Sequence, residues 1–375
     1  MPSFRQSRIE SVQILRAVAA FEVTLAHLSA SFSMMGLNPI PGFILGNAGV
    51  DLFFVISGFI MVYASEGLFG SPGASGKFML RRVARIAPLY WAATAFQCSI
   101  YFYYGGPGLE SIQPVWRNLL ASLFFLPIPR ETGQVSPILI PGWTLNYEMF
   151  FYLIFASLLW LTQRLNVVLA LSAALIGLVT LSELIGSFTN SFFWIRYLAS
   201  PIILEFIFGA WIALAFRSGI TLRLRYAIPI ALLGIGLICW TESPSPRDRV
   251  LTWGIGSALL FVAVVLCDWS NRISPRNVFV QLGEASYSMY IAHWLVLTEP
   301  PDILVRTFGP ADHRLIYSIL ILSEVIAVSI ISHRVVEKPL TSFLQNCIDR
   351  LYRTREARAS AGAAMTLSIP SKSTN

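Results

Sequence analysis

The stretch ILRAVAAFEVTLAHL, residues 14–28, decides how the whole chain is read. Apolar side chains fill most of it, yet it also holds Arg16, Glu22 and His27. An ionisable group near the middle of a bilayer costs about 2.5–3.5 kcal/mol on insertion scales. Such groups persist where they face a bundle interior and have chemistry to perform. Arg16 and His27 are eleven residues apart, close to three helical turns, so they share one face about 16 Å apart along the axis. Glu22 falls on a different face, about 240° round from Arg16 at 100° per residue, and is left out of the candidate site.

Working outward, the rest of the chain has the same apolar character. Of its 375 residues, 55% are hydrophobic and only 13% are charged, with a mean hydropathy of +0.65. Soluble domains carry about 25% charged residues, so the chain reads as an all-α, polytopic membrane helical bundle. Runs long enough to span lie near 11–33, 46–65, 85–104, 143–163, 166–185, 193–216, 225–241, 250–268, 279–299 and 314–336, which makes about ten helices. The run WRNLLASLFFLPIP (116–129) is too short to cross and reads as re-entrant or interfacial. Arg5 and Arg8 precede the first run as in a signal peptide. That run exceeds the roughly 7–15 residues of such a peptide's apolar region, so it is expected to remain as the first span.

Lysine and arginine placement orients the bundle. Of the 27, the segments expected inside hold 19 and those expected outside hold seven, with Arg16 within a helix. By the positive-inside rule both termini lie in the cytoplasm. The net charge of +7 is spread over loops and tail, so no nucleic-acid partner is expected. Residues 1–340 form the expected membrane domain. Residues 341–375 form a basic cytoplasmic tail, partly disordered, whose first part can lie on anionic membrane lipid. The four cysteines lie scattered with no metal-ligand spacing, so neither metal nor disulfide is expected.

Four further stretches place polar groups on apolar helices. In GNAGVDLFFVISGFIM (46–61), Asp51 can pair with an arginine or cap a helix, and Gly58 suits close helix packing. In KFMLRRVARIAPLYW (77–91), Arg82 and Arg85 at i and i+3 project from one face. They can clamp phosphates through bidentate hydrogen bonds, or simply mark an inner boundary. In PGWTLNYEMFFYLIF (141–155), Glu148 needs a partner inside its span, and His27 is one candidate. In GEASYSMYIAHWLV (283–296), Tyr287, Tyr290 and His293 can line a polar cavity or pack as ordinary helix residues. His313 and His333 have no companions that single them out.

Taken in order, LRAVAAFEVTLAH, GVDLFFVISGF, RRVARIAPLYW, GWTLNYEMFFY, GEASYSMYIAH and VEKPL resemble the membrane-bound acyltransferase family 3 proteins, over about residues 10 to 340. The resemblance implies an O-acyltransferase that moves an acetyl or other short acyl group from acyl-CoA to a hydroxyl of an exopolysaccharide or lipid-linked glycan. Such an enzyme sits in the bacterial inner membrane and keeps no permanently bound cofactor. Its partners would be acyl-CoA, the polysaccharide or lipid-linked oligosaccharide acceptor, membrane lipid and other polysaccharide-biosynthesis proteins. The family's motifs fall here on Arg16 and His27, on Arg82 and Arg85, and on Trp143 and Glu148. His27 and Glu148 are then the expected catalytic pair, with Arg16, Arg82, Arg85, Trp143, Tyr287 and His293 binding substrate. The rival reading is a transporter or flippase for a lipid-linked glycan, with Arg16, His27 and Glu148 along its path.

Overall fold

The computed structural model describes residues 9–34, 40, 42–104, 115–129, 135–186, 193–268, 273–297 and 314–367. Over these residues the chain is helical, with two isolated bridges (Pro129 to Val135, Leu222 to Cys267) and no named strand. Helix α1 spans Glu10–Met34, α2 Ala48–Ala64 and α3 Ala74–Tyr104. Then come α4 (Val115–Leu123), α5 (Gly142–Ser157), α6 (Arg164–Gly186) and α7 (Phe193–Leu198). They are followed by α8 (Glu205–Arg217), α9 (Leu224–Cys239), α10 (Ile255–Val265), α11 (Val278–Glu284) and α12 (Ser286–Leu297). Last are α13 (Arg314–Ser332) and α14 (Lys338–Leu367). Five stretches among the described residues are long and apolar enough to cross a membrane: Glu10–Ser33, Leu45–Ala64, Arg164–Leu184, Pro246–Val265 and Leu315–Thr354.

Several expected spans have a different shape. The run 193–216 is divided into α7, a 3₁₀ turn at Pro201–Leu204, and α8. Pro201 supplies no N–H and disfavours helix at Ser200, which adopts φ −59°, ψ 142°. The run 279–299 breaks at Ala285 into α11 and α12. At 12 residues, α12 is about 18 Å long, well short of a bilayer core. Helix α3 begins at Ala74 rather than near 85, so Lys77, Arg81, Arg82 and Arg85 all project from regular helix. The short α4 falls in the stretch expected to be re-entrant. Beyond α13, a π-helical turn (His333–Glu337) leads directly into α14, which continues to Leu367. The alanine-rich ASAGAAM within it has high helix propensity, which outweighs its low apolar content.

The core centres on α2, whose Leu52, Val55, Phe59 and Met61 are almost wholly buried. Rings from three helices stack there: Phe206 lies 4.7 Å from Phe54 and 4.1 Å from Phe151. Helices α2 and α8 approach closely because Gly58 and Gly209 present no side chain. A Cβ on Gly58 would stand 2.0 Å from the Phe206 carbonyl oxygen, and one on Gly209 1.9 Å from that of Val55. Gly283 of α11 meets the Gln13 carbonyl of α1 in the same manner, at 1.9 Å. Helices α6, α9 and α13 expose leucine and isoleucine outward, among them Ile176, Leu232 and Ile319. That distribution matches a bundle whose rim faces hydrocarbon.

Candidate active site

Helices α1, α2, α3, α5 and α12 enclose a cavity of about 190 Å³. Arg16, Arg82 and Arg85 line it together with Ser57, Glu148, Tyr152, Tyr287 and Tyr290. Three of the expected arginines therefore converge, from two helices. The i, i+3 spacing puts Arg82 and Arg85 on the α3 face turned toward α5, while Arg16 enters from α1. Among the described residues, none of the three guanidinium groups hydrogen-bonds a protein acceptor, and the Nε of Arg82 is buried without a partner. Arg82 instead lies over the rings of Phe78 (5.3 Å) and Tyr152 (5.9 Å).

Glu148 accepts hydrogen bonds from the Ser57 hydroxyl at 3.1 Å and from Tyr152. This differs from the expectation that it supports His27. Glu148 lies in the middle of α5, level with the arginines, whereas His27 is near the far end of α1. His27 has other neighbours: the His293 ring at 5.0 Å and the Trp294 ring edge-on at 5.5 Å. Tyr287 faces the cavity, and its hydroxyl donates to the Ile86 carbonyl at 2.7 Å. Trp143 does not line the cavity and packs edge-on against Tyr147 at 6.0 Å.

Both imidazoles are held in the same way. His27 Nδ1 lies 2.9 Å from the Val23 carbonyl and His293 Nδ1 3.1 Å from that of Met289, each one helical turn back. A carbonyl only accepts, so Nδ1 carries the proton in both rings and Nε2 keeps its lone pair. His27 is half-buried and His293 is fully buried. Tyr290 stands between this pair and the cavity. Its ring is 5.7 Å from His293, and its hydroxyl and that of Thr144, 2.8 Å apart, share the Pro141 carbonyl.

A second cavity, of about 480 Å³, adjoins the first and shares Gln13, Ile60, Arg82 and Arg85 with it. Arg81 and Gln345 also line it, the latter from α14. Helix α14 is fastened to α3 there through the Arg81–Asp349 ion pair and by Lys77 over the Tyr352 ring at 5.5 Å. Arg82 and Arg85 thus lie on the boundary between an outer vestibule and an inner chamber. Gln13, Ser57 and Gln345 were not legible as site residues. Gln13 alone left a trace, standing one turn before Arg16.

Asp51 is fully buried and bound by both ends of the Arg249 guanidinium, at 3.0 and 2.7 Å. Arg249 also lies over the Trp253 ring at 4.9 Å. Of the two roles open to Asp51, ion pairing is the one found. Among the described residues, no three His, Cys, Asp or Glu side chains are placed to hold a metal ion.

A helical membrane bundle with converging arginines and a histidine pair defines a class of protein, and comparison with known sequences agrees. Residues 9–331 match the family described as an acyltransferase domain, and the chain belongs to that family, acyltransferase family 3. It is 33% identical over 262 residues to the exopolysaccharide production protein ExoZ of Rhizobium meliloti strain 1021, covering 68% of this chain and 78% of that one. It is 26% identical over 368 residues to the acyltransferase MdmB of Streptomyces mycarofaciens, covering 91% and 93%. Protein 2 in the picA locus of Rhizobium radiobacter is 28% identical over 148 residues, 36% of this chain and 74% of that one. No solved structure matches at a significant level.

Proposed function

We propose that this membrane acyltransferase moves an acetyl or other short acyl group from acyl-CoA to a hydroxyl of an exopolysaccharide or its lipid-linked precursor. One observation carries this reading: three guanidinium groups line two joined cavities without a protein acceptor among the described residues. Guanidinium forks suit the pyrophosphate and 3′-phosphate of CoA, which bring several anionic oxygens. In this reading the vestibule beside Arg81 and Gln345 takes the nucleotide end, and the thioester reaches inward past Glu148 toward Tyr290. The arginine end then faces the cytoplasm, as the charge distribution of the sequence predicts, with about ten crossings of the bacterial inner membrane. The resemblance to ExoZ supports an exopolysaccharide acceptor.

In this mechanism His27 is the general base. Its Nδ1–H is occupied by Val23, so Nε2 is the atom that takes the proton from the acceptor hydroxyl. The new C–O bond forms at the acyl carbon, the C–S bond breaks, and the proton ends on the CoA sulfur. Glu148, held by Ser57 and Tyr152, lends its negative charge to the arginine-lined cavity rather than orienting the imidazole.

Mass spectrometry of exported polysaccharide tests the reading. A deletion strain should export normal amounts of glycan lacking the acyl group. A His27→Ala variant present in the membrane at the parental level should fail to restore it. Loss of export with the modification intact would replace the enzyme by a transporter.

A further inference from the structure

The arginines at the doorway between the two cavities have a neighbour that the mechanism leaves unused. Gln13, one turn before Arg16 on α1, lines both the inner chamber and the vestibule. It does so together with Ile60, Arg82 and Arg85, so these four stand where the cavities join. A Cβ on Gly283 would strike the Gln13 carbonyl, so α11 packs directly on the main chain there and fixes it. Among the described residues, Gln13 Oε1 is buried and has no hydrogen-bond partner. Three other buried atoms around the vestibule share that condition: Ser65 Oγ and the Nε of Arg81 and of Arg82. The guanidinium nitrogens only donate, which suits a phosphate, and a hydroxyl can act either way. An amide oxygen only accepts, so a phosphate brought to Gln13 Oε1 would set lone pair against lone pair. Oε1 calls instead for a ligand that carries an N–H or O–H.

We propose that Gln13 is a specificity-determining residue that reads the pantetheine arm of the donor, its Oε1 accepting from the arm's first amide N–H at the doorway. The inference rests on the acyl-CoA reading above. In that reading the phosphates rest on Arg82 and Arg85 and the thioester lies further in. The part of the donor that passes the junction is then the arm that joins them, and in CoA this arm carries two amides. The amide nearer the pyrophosphate is the one that meets Gln13, because Gln13 borders the same doorway as the two arginines. The adenine amine, the donor's other N–H, lies beyond the phosphates on the vestibule side. Phosphate contacts alone accept any polyanion of suitable size. An acceptor at the doorway adds a demand for an amide, since a donor lacking the N–H leaves Oε1 unpaired in the complex.

The test compares Gln13→Leu with the parent, using the full-length protein in proteoliposomes and polysaccharide from the deletion strain as acceptor. The donor probes are acetyl-CoA and an analogue in which the first amide N–H is replaced by an ester oxygen. Where the analogue turns over too slowly, its Ki against acetyl-CoA replaces KM. With acetyl-CoA, the leucine variant should raise donor KM about 2- to 10-fold, the contribution of one neutral hydrogen bond, with acceptor KM unchanged. With the ester analogue, the variant should bind no worse than the parent, the sign of a shared interaction. Tm in detergent should stay at or above the parental value, because an unpaired acceptor supports nothing in the resting fold. A parental KM for acetyl-CoA would overturn the proposal and leave water as the partner of Oε1. An equal loss with both donors would also overturn it, placing Gln13 on another part of the donor. If the leucine variant does not accumulate, Gln13→Ala is judged by the same criteria, and failure of both to fold would make Gln13 structural and end the proposal. If the parent transfers acetyl and the variant matches it, only the inference on Gln13 fails. If the parent itself transfers nothing from acetyl-CoA, the underlying reading has failed.

Discussion

Replacing Arg85 by alanine is the sharpest probe of the proposed donor site. Arg85 borders both cavities and makes no hydrogen bond to a protein acceptor among the described residues, so alanine removes little from the resting fold. In the proposed reading, what it removes is the contact to an incoming phosphate. A hydrogen bond to a charged group contributes about 1.5–3 kcal/mol. At about 1.4 kcal/mol per tenfold, KM for acyl-CoA should rise about 10- to 150-fold. Arg82→Ala should raise it by at least as much, because Arg82 also covers the rings of Phe78 and Tyr152. Lysine at either position keeps the charge but loses the planar fork, so Arg→Lys variants should fall between. The assay is the initial rate of CoA thiol release in proteoliposomes, with acetyl-CoA varied at saturating acceptor and then the reverse. Using 3′-dephospho-acetyl-CoA locates the contact. If Arg85 grips the 3′-phosphate, variant and truncated donor should together lose no more than either alone, the sign of a shared interaction. A donor KM within twofold of the parent in both alanine variants would refute the phosphate clamp. A rise in acceptor KM alone would move the arginines to the glycan side.

Two other predictions concern the frame that holds these groups. Gly58→Ala and Gly209→Ala each drive a methyl into a backbone carbonyl, at 2.0 and 1.9 Å. Each should cost about 1–3 kcal/mol through overpacking, read as a lower Tm in detergent, and an unchanged Tm in both would contradict the α2–α8 contact. Asp51→Ala should cost up to about 3–5 kcal/mol because it removes the carboxylate that Arg249 bonds twice, leaving that partly buried charge to Glu205 and the Asn47 carbonyl. Asp51→Ala combined with Arg249→Met should be more stable than Asp51→Ala alone, and a double variant whose loss equals the sum of the two single variants' losses would show that the pair is not coupled.

Legibility in the sequence followed the range of the physics. Helical periodicity is local, so the apolar runs and the shared face of Arg16 and His27 could be read directly. The spacing of Arg82 and Arg85 was equally plain, and the cavity holds all three arginines. Which polar group meets which is a matter of depth and angle between helices. On that point Glu148 was assigned to the wrong neighbour, since its hydrogen bonds go to Ser57 and Tyr152. Ser57 carries no periodic or charge signal within α2, so nothing marked it as a partner. The break at Ala285 was hidden for a similar reason. GEASYSMY contains no proline, and its strongest cue, Gly283, acts through a contact with Gln13 some 270 residues away in the chain.

The placement of Glu148 changes how the site handles charge. Three guanidinium groups meet around one cavity, and Glu148 is the carboxylate that lines it with them. Glu337 lies close enough to interact with Arg85, but it is already bound by the Ser288 hydroxyl at 2.7 Å and by His333 at 2.9 Å. Had Glu148 served His27 instead, Glu337 would remain as the carboxylate facing Arg16 and Arg85, and the mutual repulsion of the arginines in a low-dielectric interior would be less fully offset. With Glu148 among them the excess positive charge is reduced but not cancelled. In the proposed reading, what remains attracts an anionic donor and weakens once the donor's phosphates are seated. A full complement of carboxylates would hold the arginines more tightly and leave nothing for the donor to neutralise. The two imidazoles have a different setting: they lie behind Tyr290, away from the guanidinium groups and paired with each other, which in the proposed reading leaves His27 free of the arginines' charge.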